Sequence, residues 1–330
     1  MKKQSKPKAQ SKSEKKNMKL SQQLRVDFEE GVASFVTRRM RNSQLVYAHT
    51  AIQKRVLGSL GKYLEKYNAT VYAFCLFGSH DHGLFDFQPG TKTGFFRDLG
   101  SRTAEAVKKY IPDFGQGSVF DKRTSEQAVP PEAEGHLNAV MYILLQPIAA
   151  GLCKNLSDYP GFNCLPYIVT GKPLEVEFFN GSEFRKAKSR NKKADPSDYT
   201  EKYEIKFARI PGCENMTQQE YGRFIMQTFN KRRQELIDAF EKRGYKWPTK
   251  ESIKRTRPTD CARNPKRTER GGFHPLVICK CFERRKKFME WYFSIVEQYK
   301  AASVKYLAGG RNAKFPPGTI KPPGPFVHAT

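Results

Sequence analysis

His80 and His82 are one residue apart in Gly78-Ser79-His80-Asp81-His82-Gly83-Leu84-Phe85-Asp86, and about sixty residues on comes Tyr142-Ile143-Leu144-Leu145-Gln146-Pro147. In an extended strand side chains alternate between faces, so both imidazoles project the same way and can share one metal ion. On a helix, residues four apart lie one turn apart on one face, so the Tyr142 phenol and the Gln146 amide oxygen can meet at a point. Two imidazoles, an amide and a phenol suit metal-assisted phosphoryl transfer through a covalent tyrosine link. Taken singly, a His-x-His pair is more often two hydrogen-bonded histidines, and a helical tyrosine a half-buried residue with its hydroxyl satisfied. It is the two groups together, in this order, that point to chemistry.

The elements that must carry these groups follow from periodicity. Ala33-Ser34-Phe35-Val36-Thr37 suits a first strand, followed by the basic Arg38-Arg39-Met40-Arg41. From Thr50 to Tyr67 the apolar residues Ile52, Val56, Leu57, Leu60, Tyr63 and Leu64 recur at helical spacing. Val71 to Phe77 is rich in strand formers, Gly78-Ser79 can make a two-residue turn, and His80 to Phe87 returns as the partner strand, central in a sheet. Thr93 to Tyr110 forms a basic helix, Asp121 to Glu134 a polar, proline-containing segment, and a helix from about Gly135 carries Tyr142. Pro147 cannot donate the bond back to Ile143, so that helix should bend or restart there.

Beyond residue 171, Phe184 to Lys193 is a basic run and Ala194-Asp195-Pro196-Ser197 a linker. Thr217-Gln218-Gln219-Glu220 has capping-box spacing and opens a helix to about Arg243. A second basic loop runs from Lys254 to Arg270. The last long helix, about Phe282 to Leu307, starts with Arg284-Arg285-Lys286-Lys287, either a phosphate-backbone patch or a solvated helix start. Its stripe of Phe288, Trp291, Tyr292, Ile295 and Tyr299 reads as core rather than a base-stacking surface. Phe315 to Pro325 should be extended and irregular.

The 330 residues allow one large or two ordinary domains. A formal net charge of +26 favours a polyanionic partner, with nucleic acid first. There is no apolar run of membrane-spanning length and no basic amphipathic helix to suit a membrane surface. Met1 to Leu20 holds eight lysines and no apolar core, which fits a disordered basic tail rather than a secretory signal, with a cytoplasmic location expected. The seven irregularly spaced cysteines suit reduced thiols. Cys261, His274, Cys279 and Cys281 lack paired Cys-x-x-Cys knuckles, so buried thiols and a turn histidine are expected there rather than zinc. No phosphate-binding glycine loop, zincin helix or Ser/His/Asp arrangement is present.

The order strand, helix, His-x-His hairpin, basic helix and Tyr142-x-x-x-Gln146-Pro147-Ile148-x-Ala150-Gly151-Leu152, continuing through Asp158-Tyr159-Pro160-Gly161-Phe162, resembles the single-tyrosine HUH transposases, particularly their REP-associated branch. The resemblance covers about residues 28 to 170. It implies an α/β (α+β) fold, a ferredoxin-like sandwich around an antiparallel sheet, here followed by a basic, mostly helical extension. Residues 1–20 would be the tail, 21–170 the catalytic domain, 171–310 the extension and 311–330 a Pro/Gly-rich tail. It further implies that His80, His82 and Gln146 hold Mg²⁺ or Mn²⁺ and that Tyr142 is the nucleophile, cleaving and rejoining DNA through a 5′-phosphotyrosine. The DNA would be single-stranded, often with an adjacent hairpin, and the protein a monomer or a homodimer.

Two positions depart from that family. Asp81 stands where a hydrophobic residue is usual, and its strand face should point into a helix-packed layer, where an unpaired carboxylate is costly. Asp81 therefore pairs with a local cation, faces an opening, or marks a decayed site. Gln146 replaces the branch's usual asparagine, with the same amide oxygen one methylene further out. Asp86 shares the histidine face by parity but is a weak candidate ligand. The alternatives are a domesticated binding protein without cleavage, which Asp81 favours, and an RNA-binding protein, which the charge permits equally.

Overall fold

Strand formers interrupted by Gly78-Ser79 build the centre of the molecule. In the computed structural model, which describes residues 24–29, 31–121, 124–262, 276–310 and 312–324, four strands form one antiparallel sheet. They are β1 (Ala33–Arg39), β2 (Thr70–Phe77), β3 (His80–Asp86) and β4 (Ser125–Val129), in the order β2-β3-β1-β4. The expected tail over 1–20 and the basic stretch over 263–270 lie outside the described residues. Helix α1 (Thr50–Lys66) joins β1 to β2, and α2 (Lys92–Tyr110) joins β3 to β4. This βαββαβ order with β1 and β3 central is the arrangement expected of a ferredoxin-like sheet.

The two faces have different covers. Val36, Phe74, Leu76 and Phe85 pack under α1 and α2, against Ile52, Val56, Leu60, Phe95 and Leu99. Ala33, Phe35, Ala73 and Leu84 pack under α3 (Ala133–Ala149), against Val140, Met141, Leu144 and Ile148. Pro147 sits within α3, and the helix runs on only to Ala149, where the Leu152 N–H donates to the Pro147 carbonyl (3.0 Å). The expected interruption is thus a termination, because a proline this close to the end removes a single internal bond. The polar segment before α3 contains β4, which was not expected as a strand.

The remainder is built from α4 (Leu165–Thr170), β5 (Leu174–Phe179), α5 (Gly181–Arg190), β6 (Thr200–Ile205), α6 (Gln218–Glu241), α7 (Lys250–Lys254) and α8 (Phe282–Leu307). Thr217 caps α6 in the full reciprocal box with Glu220. The β5–β6 pair is an antiparallel ribbon lying on α1, a β element inside a region expected to be mostly helical. Ile168, Ile210, Tyr221, Ile225 and Phe229 share the α3 cluster, so residues on both sides of the expected 170/171 boundary pack together. The stripe on α8 is core over most of its length, with Tyr299 outside it against Phe315. Phe288 and Tyr292 form a third cluster with Val26, Ala128, Val277 and Cys279, on which Trp291 and Ile295 pack partly buried. There the Ala128 N–H donates to the Leu276 carbonyl (2.9 Å), which covers the open edge of β4. The Leu24 N–H donates to the Tyr292 hydroxyl (2.7 Å), closing a loop of 268 residues. Among the described residues no helix is long and apolar enough to cross a membrane.

Candidate active site

Strand register decides what surrounds the histidines. Across β1–β3, Thr37 is opposite His82 and Arg39 opposite His80; across β2–β3, Cys75 is opposite His82 and Phe77 opposite His80. Directly opposed residues share a face, so all of these lie on the α3 side of the sheet. The Gly78-Ser79 turn that sets this register has Gly78 at φ +25° and Phe77 paired with His80. The two imidazole centroids are 4.8 Å apart and their planes nearly perpendicular.

The α3 face is dry at one end and opens at the other. Ala33 and Leu84 are wholly buried, His82 is buried, and Thr37, Arg39 and His80 are half-exposed. Tyr142 marks the transition. Its neighbours Met141 and Ile143 are buried, whereas Tyr142 is 53% exposed. The Tyr142 ring lies edge-on to His82 and to Phe35, with centroids 5.5 Å away in each case. His80, His82 and Tyr142 are therefore brought together. Gln146 follows one turn further along α3, half-buried, and its amide hydrogen-bonds to no described residue.

Both imidazoles are held neutral. Burial, reinforced by the Arg39 charge, lowers His80 to about 3, and burial, then His80 and Arg39, hold His82 well below the usual histidine range. His82 Nδ1 is 2.8 Å from Thr37 Oγ1, while its Nε2 is buried with no protein partner. In the tautomer that donates Nδ1–H to Thr37, the Nε2 lone pair is left unsatisfied, the state a metal-ligating histidine needs. His80 Nδ1 lies 3.2 Å from Ser79 Oγ. The donor set of two neutral imidazoles and an amide oxygen fits a divalent cation. Among the described residues no group of three His, Cys, Asp or Glu could hold a metal, so an amide or water oxygen would have to complete such a site.

The Asp158-to-Phe162 stretch ties the hairpin to the helix. The Tyr159 hydroxyl donates to the Leu76 carbonyl (2.7 Å) and accepts from the Gly78 N–H (3.3 Å). Its ring stacks on Phe77, which in turn lies 4.8 Å from His80. The Phe162 carbonyl accepts from the Leu76 N–H (3.0 Å), and the Asn163 amide donates to the Leu144 carbonyl (3.0 Å) in α3. These bonds fix the histidine-bearing turn relative to Tyr142.

Asp81 is on the opposite face, away from the site. It is 2% exposed, accepts from Arg38 Nε (2.9 Å) and from the Tyr47 hydroxyl (2.6 Å), and so belongs to the first of the three outcomes foreseen for it. Asp86 sits at the far end of β3, where it accepts from the Phe87 N–H (2.8 Å). Cys279 is buried and donates to Glu132 (2.9 Å), whereas Cys261 and Cys281 are exposed, not buried as expected; His274 lies outside the described residues. Arg284 donates to the Pro131 carbonyl (2.6 Å) and remains exposed. Three residues went unrecognised as parts of the site: Thr37, Arg39 and Tyr159. Only the basic run around Arg39 and the Asp-Tyr-Pro string gave any signal of them.

No protein-family model matches this chain, and no curated protein matches it. Among solved structures it is similar to a REP-associated tyrosine transposase bound to a REP hairpin, at 21% identity and a TM-score of 0.36, covering 43% of this chain and 81% of that one. The likeness is distant.

Proposed function

We propose that the protein is a DNA strand transferase that cleaves and rejoins single-stranded DNA through Tyr142. The observation that carries this reading is an exposed tyrosine held edge-on to a buried histidine whose Nε2 has no protein partner. Tyr142 is more exposed than Asn138 and Gln146, which share its face of α3, and its ring still lies against His82, so an accessible phenol stands beside an imidazole nitrogen with no protein partner.

Tyr142 gives up its phenolic proton to solvent and its oxygen attacks a backbone phosphorus. The P–O3′ bond breaks, the 3′-oxygen takes up a proton, and the 5′-phosphate stays on Tyr142. His80, His82 and Gln146 would hold Mg²⁺ or Mn²⁺, which when bound would neutralise charge on the phosphate. Thr37 holds the His82 ring with Nε2 free, and Tyr159 keeps the hairpin in register with α3. Rejoining reverses the step: a 3′-hydroxyl attacks the phosphotyrosine and the P–Oη bond breaks, with no triphosphate consumed. The +26 net charge supports a polyanionic substrate.

A domesticated binder without cleavage drew its support from Asp81, and that support weakens with Asp81 paired to Arg38 on the other face. The test is a denaturing gel with labelled single-stranded DNA drawn from the flanks of the gene, Mn²⁺, and wild type beside Tyr142→Phe. A covalent band is expected for wild type and not for the variant, with DNA affinity nearly unchanged and EDTA abolishing the band. A band that persists in Tyr142→Phe removes Tyr142 from its role; tight binding with no band in either protein leaves the binder.

A further inference from the structure

The three arginines of Arg38-Arg39-Met40-Arg41 have separate surroundings. Arg38 is buried against Asp81. Arg41 donates to the Phe114 and Gln116 carbonyls (2.6 and 2.5 Å) and lies over the Phe114 ring. Arg39 alternates to the other face, half-buried at the open end of the site and directly across from His80. Its guanidinium makes no ion pair or hydrogen bond with any described residue. Cross-strand partners bring their Cβ atoms to about 4.5–5.5 Å. On its other flank Asp121 is opposite Arg39, its N–H donating to the Arg39 carbonyl (3.0 Å), but the two side chains form no ion pair; Thr37, Phe77, His80 and His82 bring no negative charge.

A guanidinium beside two neutral imidazoles, with no ion pair of its own, keeps its charge and its donors available for an anion that enters the site. We propose that Arg39 is the phosphate-binding residue of this site, its guanidinium fork taking the non-bridging oxygens of the phosphodiester presented to Tyr142. The planar fork matches two phosphate oxygens at once, which the compact ammonium of a lysine does not. Fixed in a strand before substrate arrives, it offsets the negative charge that develops as the P–O3′ bond breaks and needs no reorganisation at that moment. This assignment rests on the reading of Tyr142 as nucleophile, and its test separates the two.

The first arm needs no cleavage. Inorganic phosphate is titrated into ¹⁵N-histidine-labelled protein while the His80 and His82 ring resonances are followed. In wild type they shift saturably; in Arg39→Gln the shift is lost, with the thermal midpoint unchanged because the Arg39 side chain makes no hydrogen bond or ion pair with any described residue. Shifts that persist in Arg39→Gln, or are absent from wild type, overturn the proposal. The second arm is single-turnover cleavage at saturating DNA. Arg39→Ala is expected to be slower by about 10²-fold, with Arg39→Lys between it and wild type and guanidinium ion restoring part of the Arg39→Ala rate. An Arg39→Ala rate equal to wild type, with Tyr142-dependent adduct intact, overturns the Arg39 role alone. No adduct from wild type, with Arg39-dependent phosphate shifts, overturns the nucleophile and leaves the anion site standing.

Discussion

At the scale of single residues, strand parity keeps Arg38 and Asp81 on one face of the sheet and Arg39 and the two histidines on the other. Asp81 accepts from both Arg38 and the Tyr47 hydroxyl on the α1/α2 face, where Arg38 and Asp81 are each 3% exposed in their side chains. Removing one partner leaves a buried charge, so Asp81→Leu is expected to cost about 3–5 kcal/mol in urea unfolding. Arg38→Met/Asp81→Leu should recover most of that loss, and a double variant no better than the single would mean that the ion pair is not the cause. His136, wholly buried in the first turn of α3, is pushed below the usual histidine range by burial, with Nε2 unpartnered. Its folded pKa is below the unfolded value near 6.5, so in that window the unfolded chain binds a proton that the folded one does not. Its contribution to stability is therefore present above about pH 6.5 and declines on acidification. The stability gap between wild type and His136→Gln should narrow between pH 7.5 and 5.0; a constant gap would show that His136 titrates alike in the folded and unfolded chain. The faces of His80, His82, Tyr142 and Gln146 were legible because strand and helix periods are local. The roles of Thr37 and Arg39 were not, because which β1 residue faces which histidine is set by the β1–β3 register, a contact across more than forty positions.

At the scale of elements, the long periodic helices and the hairpin were legible, α8 with its bounds unchanged at Phe282–Leu307. The β5–β6 ribbon was missed although Leu174-Glu175-Val176-Glu177-Phe178 alternates apolar and charged residues, because the surrounding basic runs dominated that region. A second clue lay in α1, where Gly58 and Gly61 are one turn apart and both face the ribbon. A Cβ at Gly58 would fall onto the Glu177 carbonyl, backbone that cannot yield without displacing β5; one at Gly61 would meet the Val176 and Tyr203 side chains at 2.7 and 2.9 Å. Gly58→Ala is expected to cost about 1–3 kcal/mol and to open the ribbon to limited proteolysis. Gly61→Ala should do less, since side chains can give way. Equal protection of the ribbon in wild type and Gly58→Ala would mean that close backbone packing is not what holds it. β4 escaped recognition for another reason: Ser125-Glu126-Gln127-Ala128-Val129 is polar in its first half, and only pairing with β1 makes it a strand.

At the scale of the whole molecule, residues 1–20 alone contribute eight lysines to the net charge of +26. Deleting 1–20 should reduce the slope of log affinity against log salt by about 0.7 for each lysine that had neutralised a phosphate of single-stranded DNA, while the adduct formed per bound DNA stays the same. An unchanged slope would assign the salt-sensitive contacts to the rest of the chain. The closure of the N-terminal segment onto Tyr292 has a consequence for biosynthesis. At about 5–20 residues per second, synthesis of the intervening 268 residues takes on the order of tens of seconds. From the time β4 is made until the Leu276-to-Ile278 segment follows, β4 is an uncovered edge of the sheet with free backbone donors and acceptors. Rapid expression should therefore favour edge-to-edge association of half-made chains, and slower translation or a holding chaperone should raise the soluble yield without any change to the finished fold.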